Sequence, residues 1–136
     1  MTTAANALPP YRLRAHNAAT ASENKIHDDE VARRHGDFAL VGCLAVLALD
    51  DGGNVSHVRL GFFGVGGTPV RGVAGEAHLM GREPTPARCL EAATAAAAAL
   101  SPDDDIHASA RYRKTVAATL AGRVLAAALR RCRRPA

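Results

Sequence analysis

The sequence predicts an α+β fold, a two-layer sandwich in which helices cover one face of a small antiparallel sheet. Two apolar runs joined by a turn-rich link come first and helical patterns follow, the order that gives segregated layers rather than alternating βαβ units. The first run, FALVGCLAVLAL (38–49), meets the second, VSHVRLGFF (55–63), across Asp50-Asp51-Gly52-Gly53-Asn54. That link has the length and composition that close a β-hairpin. In the second run Val58, Leu60 and Phe62 alternate with His57, Arg59 and Gly61, so one face is apolar and the other more polar. The first run differs: Phe38, Leu40 and Leu44 point one way while Val41, Cys43 and Leu47 point the other. A strand apolar on both faces is buried on both. One helical layer covers only one side, which leaves two alternatives for the other: a further polypeptide, or the chain's own lead-in or a second copy.

Three helices complete the expected layer. GVAGEAHLM (72–80) is a short one, and TPARCLEAATAAAAAL (85–100) is a stronger one, with Thr85 as its cap and Pro86 at the first helical position, where a missing N–H costs nothing. Its expected buried stripe is Leu90, Ala93, Ala97 and Leu100. The last helix is expected from about Ser109 to Arg131, with Tyr112, Val116, Leu120 and Val124 stacked in the core. Residues 1–27 show no sustained period and carry a Pro9-Pro10 pair, so they read as a flexible lead-in; the folded domain is expected over 28–131, with a basic tail at 132–136.

The 136 residues suffice for one domain that buries roughly two thirds of its unfolded surface. With 48% hydrophobic but only 4% aromatic residues, the core must be built from Ala, Val and Leu, which favours close approach of the elements. The net charge of +4 sits mostly in Arg130, Arg131, Arg133 and Arg134. Without interleaved aromatics or a nucleic-acid-reading motif, that cluster reads as a solvated helix end rather than a nucleic-acid site. Three widely spaced cysteines, with no CxxC, suggest neither a disulfide framework nor zinc and fit a reducing, cytoplasmic compartment. No apolar run is long enough to span a membrane, and none of the six histidines has a close metal-ligand spacing, so no membrane and no metal are expected.

Two stretches invite a chemical reading. In GFFGVGGTPVRG (61–72), Pro69 stands where a dinucleotide-binding loop needs its third glycine, and no Gly-Lys-Ser/Thr follows for a phosphate loop. What remains is either a loop of small residues whose backbone N–H groups approach a planar or anionic ligand beside Arg71, or a strand-to-helix connection that needs positive φ. DDDIHASARYRK (103–114) holds an acid, a base and a hydroxyl close together, but nothing supplies an orienting group or an oxyanion hole. It reads as the start of a helix, with Ser109 as cap and carboxylates at the positive end of the dipole. No catalytic residue is expected.

EVARRHGDFALVG (30–42), RLGFFGVGGTPVR (59–71) and DDIHASARYRKTVAATLAGRVLAAAL (104–129), in this order, resemble the C-terminal domain of the FAD-carrying medium subunit of the molybdenum hydroxylases, the family of xanthine dehydrogenase and aerobic carbon monoxide dehydrogenase. The resemblance rests on the arginine pair before GDFA, the GGxGxTP-like turn and the IHASAxYR helix start. It implies the same small sheet with a helical layer. It further implies a component of an oxidoreductase, not catalytic alone, that helps close one side of an FAD site and docks to a flavin-binding domain, an iron–sulfur small subunit and a molybdopterin large subunit. Carried over residue by residue, the positions facing the flavin are Arg33, Arg34 and Asp37 in the first stretch and Gly66, Gly67, Thr68 and Arg71 in the turn. Arg33 and Arg34 have an alternative in salt bridges to Asp37 or to the acids at 103–105. Residues 1–27 match nothing of the family's flavin-binding portion, so FAD is expected only in a complete flavoprotein context. The segment ENKIHDDEV (23–31) departs from the family's opening strand, which leaves an edge of the sheet bare or differently repaired. The competing functional reading is a stand-alone interaction module that self-associates and has no redox role.

Overall fold

The computed structural model describes residues 25–32 and 39–134. Its sheet has four antiparallel strands in sequential order: β1 (Lys25–Ala32), β2 (Ala39–Leu49), β3 (Val55–Phe63) and the two-residue β4 (Val70–Arg71). The hairpin between β2 and β3 is the predicted one. Its link is held by the Asp50 carboxylate, which accepts from the N–H groups of Gly52 and Asn54, both at 2.9 Å. The segment expected to leave an edge bare or differently repaired forms β1, paired with β2 from Lys25↔Leu47 to Ala32↔Ala39. Alternation at Asp29, Glu30 and Val31 lets a charged sequence serve as an edge strand, with Asp29 turned towards the helices and paired to Arg123 at 3.1 Å.

Three helices, α1 (Val73–Leu79), α2 (Pro86–Ala98) and α3 (Ala110–Cys132), follow in the chain. α3 lies over β1 and β2, α1 lies over β3, and α2 packs against both of the other helices. Val41, Cys43, Ala45 and Leu47 of β2 join Val58, Leu60 and Phe62 of β3 and the inner faces of the helices in one core. As expected of an aromatic-poor sequence, the helices meet through small residues. A Cβ on Gly75 of α1 would lie 2.6 Å from the Ala92 carbonyl oxygen and 2.8 Å from the Ala96 Cβ, so only glycine permits this approach.

Both expected caps are present: Thr85 Oγ1 accepts from Arg88 N–H at 3.2 Å, and Ser109 Oγ accepts from Tyr112 N–H at 3.0 Å. Of the expected stripes, Ala93, Ala97 and Leu100 of the first and Leu120 and Val124 of the second are buried, while the leading member of each is not. Leu90 is 65% exposed, and α2 buries Cys89, Ala92, Ala93, Ala96 and Ala97. Squeezed between two helices, α2 turns its smallest side chains to both neighbours and its one leucine outward. Tyr112 is 46% exposed, and the interior position at the start of α3 belongs to Arg113, followed by Ala117, Leu120, Ala121 and Val124. Val116 is only partly buried at the edge of the core.

The expectation that β2 is buried on both faces holds. Leu44, Ala48 and the neighbouring Phe63 of β3 are buried on the face turned away from the helices, outside the core that joins the two layers. Part of this burial is internal, because the Phe63 ring lies over Gly42, where a Cβ would collide with it. In register across this face run Asp28, Leu44, Gly61 and Arg71, acid at one edge and cation at the other.

Candidate functional site

The candidate site is built on the outer edge of β3 and the turn that leaves it. β4 pairs only with Gly61 and Phe62, so the rest of the edge needs other partners. Leu60 N–H donates to Glu76 Oε2 at 3.2 Å and its carbonyl accepts from Gly72 N–H at 2.8 Å; further down, Val55 N–H donates to the Arg82 carbonyl at 2.9 Å. Glu76 is 5% exposed and makes this arrangement tolerable by pairing with two arginines. Arg71 approaches it in a forked contact, Nη2 to Oε1 at 2.6 Å and Nε to Oε2 at 3.0 Å, and Arg59 Nη1 stands 3.5 Å from Oε1. The pairing holds the Arg71 guanidinium above its ordinary pKa. His57 is pushed below its ordinary value by burial and then by the cationic Arg59, with Glu76 acting in the opposite direction.

At the far end of β3 the chain turns at Gly64, whose φ of 79° and close approach to the Leu40 carbonyl both exclude a side chain. Two carbonyl oxygens, those of Leu40 and Gly64, are brought together there. Arg113, only 3% exposed, lies between them: Nη1 donates to Leu40 O at 2.5 Å and to Gly64 O at 2.8 Å, while Nη2 donates to Asp105 Oδ2 at 2.8 Å. Asp105 accepts in addition from the N–H groups of Ala108 and His107, and these bonds, followed by Arg113, lower its pKa to about 2.

Of the residues expected to face a flavin, Gly66, Gly67 and Thr68 stand exposed on the turn, and Arg71 lies at its far end in β4. Arg71 is half exposed but committed to Glu76. Arg33, Arg34 and Asp37 lie outside the described residues, and with them the alternative salt bridges of the two arginines. Among the described residues, Gly64, Gly53 and Gly81 are the glycines with positive φ; Gly66 and Gly67 are not. A Cβ would meet nothing within 4 Å at Gly67, and nothing closer than 3.7 Å at Gly66. The turn therefore needs positive φ only at Gly64. At 66 and 67 the absence of side chains leaves the backbone open to a group approaching from outside, which is the surface a planar or anionic ligand requires.

The sequence reading overlooked Glu76 and Arg113, the two charged residues that are buried among the described residues. Each had a signal: Glu76 is the one carboxylate in a short helix of small and apolar residues, and Arg113 stands on the stripe continued by Ala117, Leu120 and Ala121. Cys43 and Cys89 are buried with their thiol pKa values raised by desolvation, which leaves them unreactive. Among the described residues no group of three His, Cys, Asp or Glu side chains is placed to hold a metal, and no helix is long and apolar enough to cross a membrane.

A short antiparallel sheet under three helices, with a glycine turn clamped by a buried arginine, defines a small two-layer α+β domain. Residues 26–128 match the family model of the CO dehydrogenase flavoprotein C-terminal domain, and the chain belongs to that family. It is 38% identical over 105 residues to the 6-hydroxypseudooxynicotine dehydrogenase complex subunit alpha of Paenarthrobacter nicotinovorans, covering 77% of this chain and 36% of that protein. It is 35% identical over 104 residues to the carbon monoxide dehydrogenase medium chain of Hydrogenophaga pseudoflava, covering 76% of this chain and 36% of that one. The solved carbon monoxide dehydrogenase from the same organism superposes with a TM-score of 0.76 at 35% identity, over 84% of this chain and 39% of the matched chain. The chain thus spans little more than a third of the length of the relatives it matches.

Proposed function

We propose that the chain is an accessory C-terminal domain of a molybdenum-hydroxylase FAD subunit. In this reading it helps close the flavin site of a flavin-binding partner in the cytoplasm. It also docks into an assembly with an iron–sulfur small subunit and a molybdopterin large subunit, along which electrons pass from molybdenum through the clusters to FAD. The observation that carries the reading is the family match across 26–128, which contains the whole clamped turn. The turn fits a flavin-facing surface in one respect, the open backbone at Gly66 and Gly67, and the fit at Arg71 is indirect, because its guanidinium is held by Glu76. When bound, FAD would supply the electron-accepting chemistry. This chain's residues would supply only a wall: Gly66, Gly67 and Thr68 as contact surface, Arg71 and Glu76 as its brace, with Arg33, Arg34 and Asp37 as the remaining proposed contacts.

The test is the visible absorption spectrum of material purified through a tag on the full chain from its native cells. Flavin and iron–sulfur bands in stoichiometric amount are expected; a colourless, monomeric or self-associated product would overturn the proposal in favour of an interaction module without a redox role. The double variant Gly66→Val, Gly67→Val sharpens the result. It should leave the melting temperature unchanged, since both sites have room for a side chain, and should lower the flavin content of the purified material.

A further inference from the structure

The face of the sheet turned away from the helices carries an excess of positive charge at its β3 edge. Arg71 stands opposite Gly61 in the register and Arg59 precedes Gly61 by two residues, so both side chains rise on this face. Both reach the same carboxylate oxygen, Oε1 of Glu76, Arg71 Nη2 at 2.6 Å and Arg59 Nη1 at 3.5 Å. One guanidinium is enough to balance it. Arg71 spans both oxygens, with Nε at 3.1 and 3.0 Å, whereas Arg59 hydrogen-bonds only the Val58 carbonyl, at 2.8 Å, and meets no second carboxylate among the described residues. His57, two residues further back on the same face, registers the result. Burial lowers its pKa most, Arg59 lowers it next, Glu76 raises it by less, and Arg71 lowers it again. The field there is positive even with Glu76 ionised. Beside the two arginines the floor is open, because a Cβ on Gly61 meets nothing within 4 Å among the described residues.

We infer that Arg59 and Arg71, with Gly61 as floor, form a binding site for a phosphoryl group, free as inorganic phosphate or carried by a phosphate monoester. The inference does not depend on the flavin reading, since it concerns the outer face of the sheet and not the turn at Gly66 and Gly67. Three observations carry it. The brace of the Leu60 N–H needs Glu76 and one arginine; Arg59 adds repulsion from Arg71 and no hydrogen bond to Glu76, so its charge is left uncompensated. Both guanidinium groups are held against Glu76, which lowers the ordering cost of binding, and Arg59 Nη2 and Arg71 Nη1 have no protein acceptor among the described residues. The two groups come from different strands, and a tetrahedral oxyanion can accept from both at once, whereas a planar carboxylate is matched by a single fork, as Glu76 is by Arg71.

The full chain is titrated at neutral pH and constant ionic strength, chloride being the replaced anion, with inorganic phosphate, glycerol phosphate or acetate, and the His57 imidazole resonances are followed by NMR. Phosphate is expected to shift them saturably with a Kd on the order of 1 mM and to raise the His57 pKa, because the anion cancels the field of Arg59 and Arg71. Acetate should bind at least about tenfold more weakly. Tighter binding of glycerol phosphate than of inorganic phosphate assigns the site to an ester, and the reverse order assigns it to free phosphate. Two variants act on different parts of the site. Arg59→Gln removes a charged donor and should weaken phosphate about tenfold or more. Gly61→Val, which keeps every charge and has room for its side chain, should block the floor and lose the saturable shift. Both should melt with the wild type, because neither touches the brace of Leu60, Glu76 and Arg71. A wild-type response no different from that to chloride, or a Kd unchanged in both variants, would overturn the site; acetate bound as tightly as phosphate would overturn the phosphoryl group as its ligand.

Discussion

Two arginine–carboxylate pairs hold β3, one at its outer edge and one at the turn that leaves it, and they are built in opposite senses. At the edge, the carboxylate of Glu76 is buried and its partners Arg71 and Arg59 are half exposed; at the turn, the guanidinium of Arg113 is buried and its partner Asp105 is the more exposed member. The difference follows from what each place leaves unpaired. An edge strand presents N–H groups, here that of Leu60, and needs an acceptor. A glycine turn folded back on β2 presents carbonyls, those of Leu40 and Gly64, and needs a donor. In each case the buried ion is chosen by the backbone, and the surface ion compensates its charge.

The comparison breaks first at Arg113. Arg113→Ala removes donors from two closely apposed buried carbonyls, and a loss of about 3–5 kcal/mol is expected in denaturant unfolding, as for other buried ionic groups deleted on one side. Lysine should recover only part of it, because one ammonium cannot reproduce the fork that spans Leu40, Gly64 and Asp105. If Arg113→Ala unfolds like the wild type, the clamp is not what holds the turn.

Glu76 should respond less. Glu76→Ala leaves the Leu60 N–H without its acceptor and is expected to cost about 1–3 kcal/mol, whereas Glu76→Gln keeps an acceptor oxygen and should cost less. Arg71→Ala should be milder again, since Arg59 remains beside the carboxylate. A larger loss for Arg71→Ala than for Glu76→Gln would show that the buried charge, not the hydrogen bond, dominates at this edge.

Local signals were legible in the sequence where one residue decides the outcome. Ser109 and Thr85 announce their helices because a hydroxyl before a helical pattern has one common use, and Ser109→Ala should accordingly cost about 1 kcal/mol. The β2–β3 hairpin was legible for the same reason, its turn residues lying next to one another in the chain. The inner faces of α2 and α3 were misread at Leu90, Tyr112 and Val116, while Ala93, Ala97, Leu100, Leu120 and Val124 were read correctly. In AATAAAAA (92–99) no side chain is large enough to mark the inner face, and the packing of α1 and α3 on either side decides it. β1 was hidden because an acidic edge strand lacks an apolar pattern of its own and is defined by its pairing to β2. Of the site, the glycine turn was visible, but its brace was not. Arg113 is separated from Leu40 by 73 residues and from Gly64 by 49, and no local pattern distinguishes an arginine that will be buried between two carbonyls from one on the surface.

The finest test of the comparison is acid titration, because only the turn carries a carboxylate whose pKa is displaced to about 2. An unfolded aspartate titrates near 3.9. With the folded value below the unfolded one, the unfolded state binds the proton first as pH falls. The stabilisation from Asp105 is therefore complete above about pH 4 and is lost progressively towards pH 2. Asp105→Asn removes this dependence, so the difference in unfolding free energy between wild type and variant should shrink as pH falls from 5 to 2. His57, depressed in the fold, contributes with the same sign at higher pH: stability falls as pH drops below about 6.5, where the unfolded histidine takes up its proton. Asp105→Asn leaves that upper step intact and His57→Gln abolishes it, so the edge of β3 and the turn after it are read separately in one titration. A wild-type and Asp105→Asn difference that stays constant down to pH 2 would mean that Asp105 is not held by the turn and that Arg113 is neutralised from elsewhere.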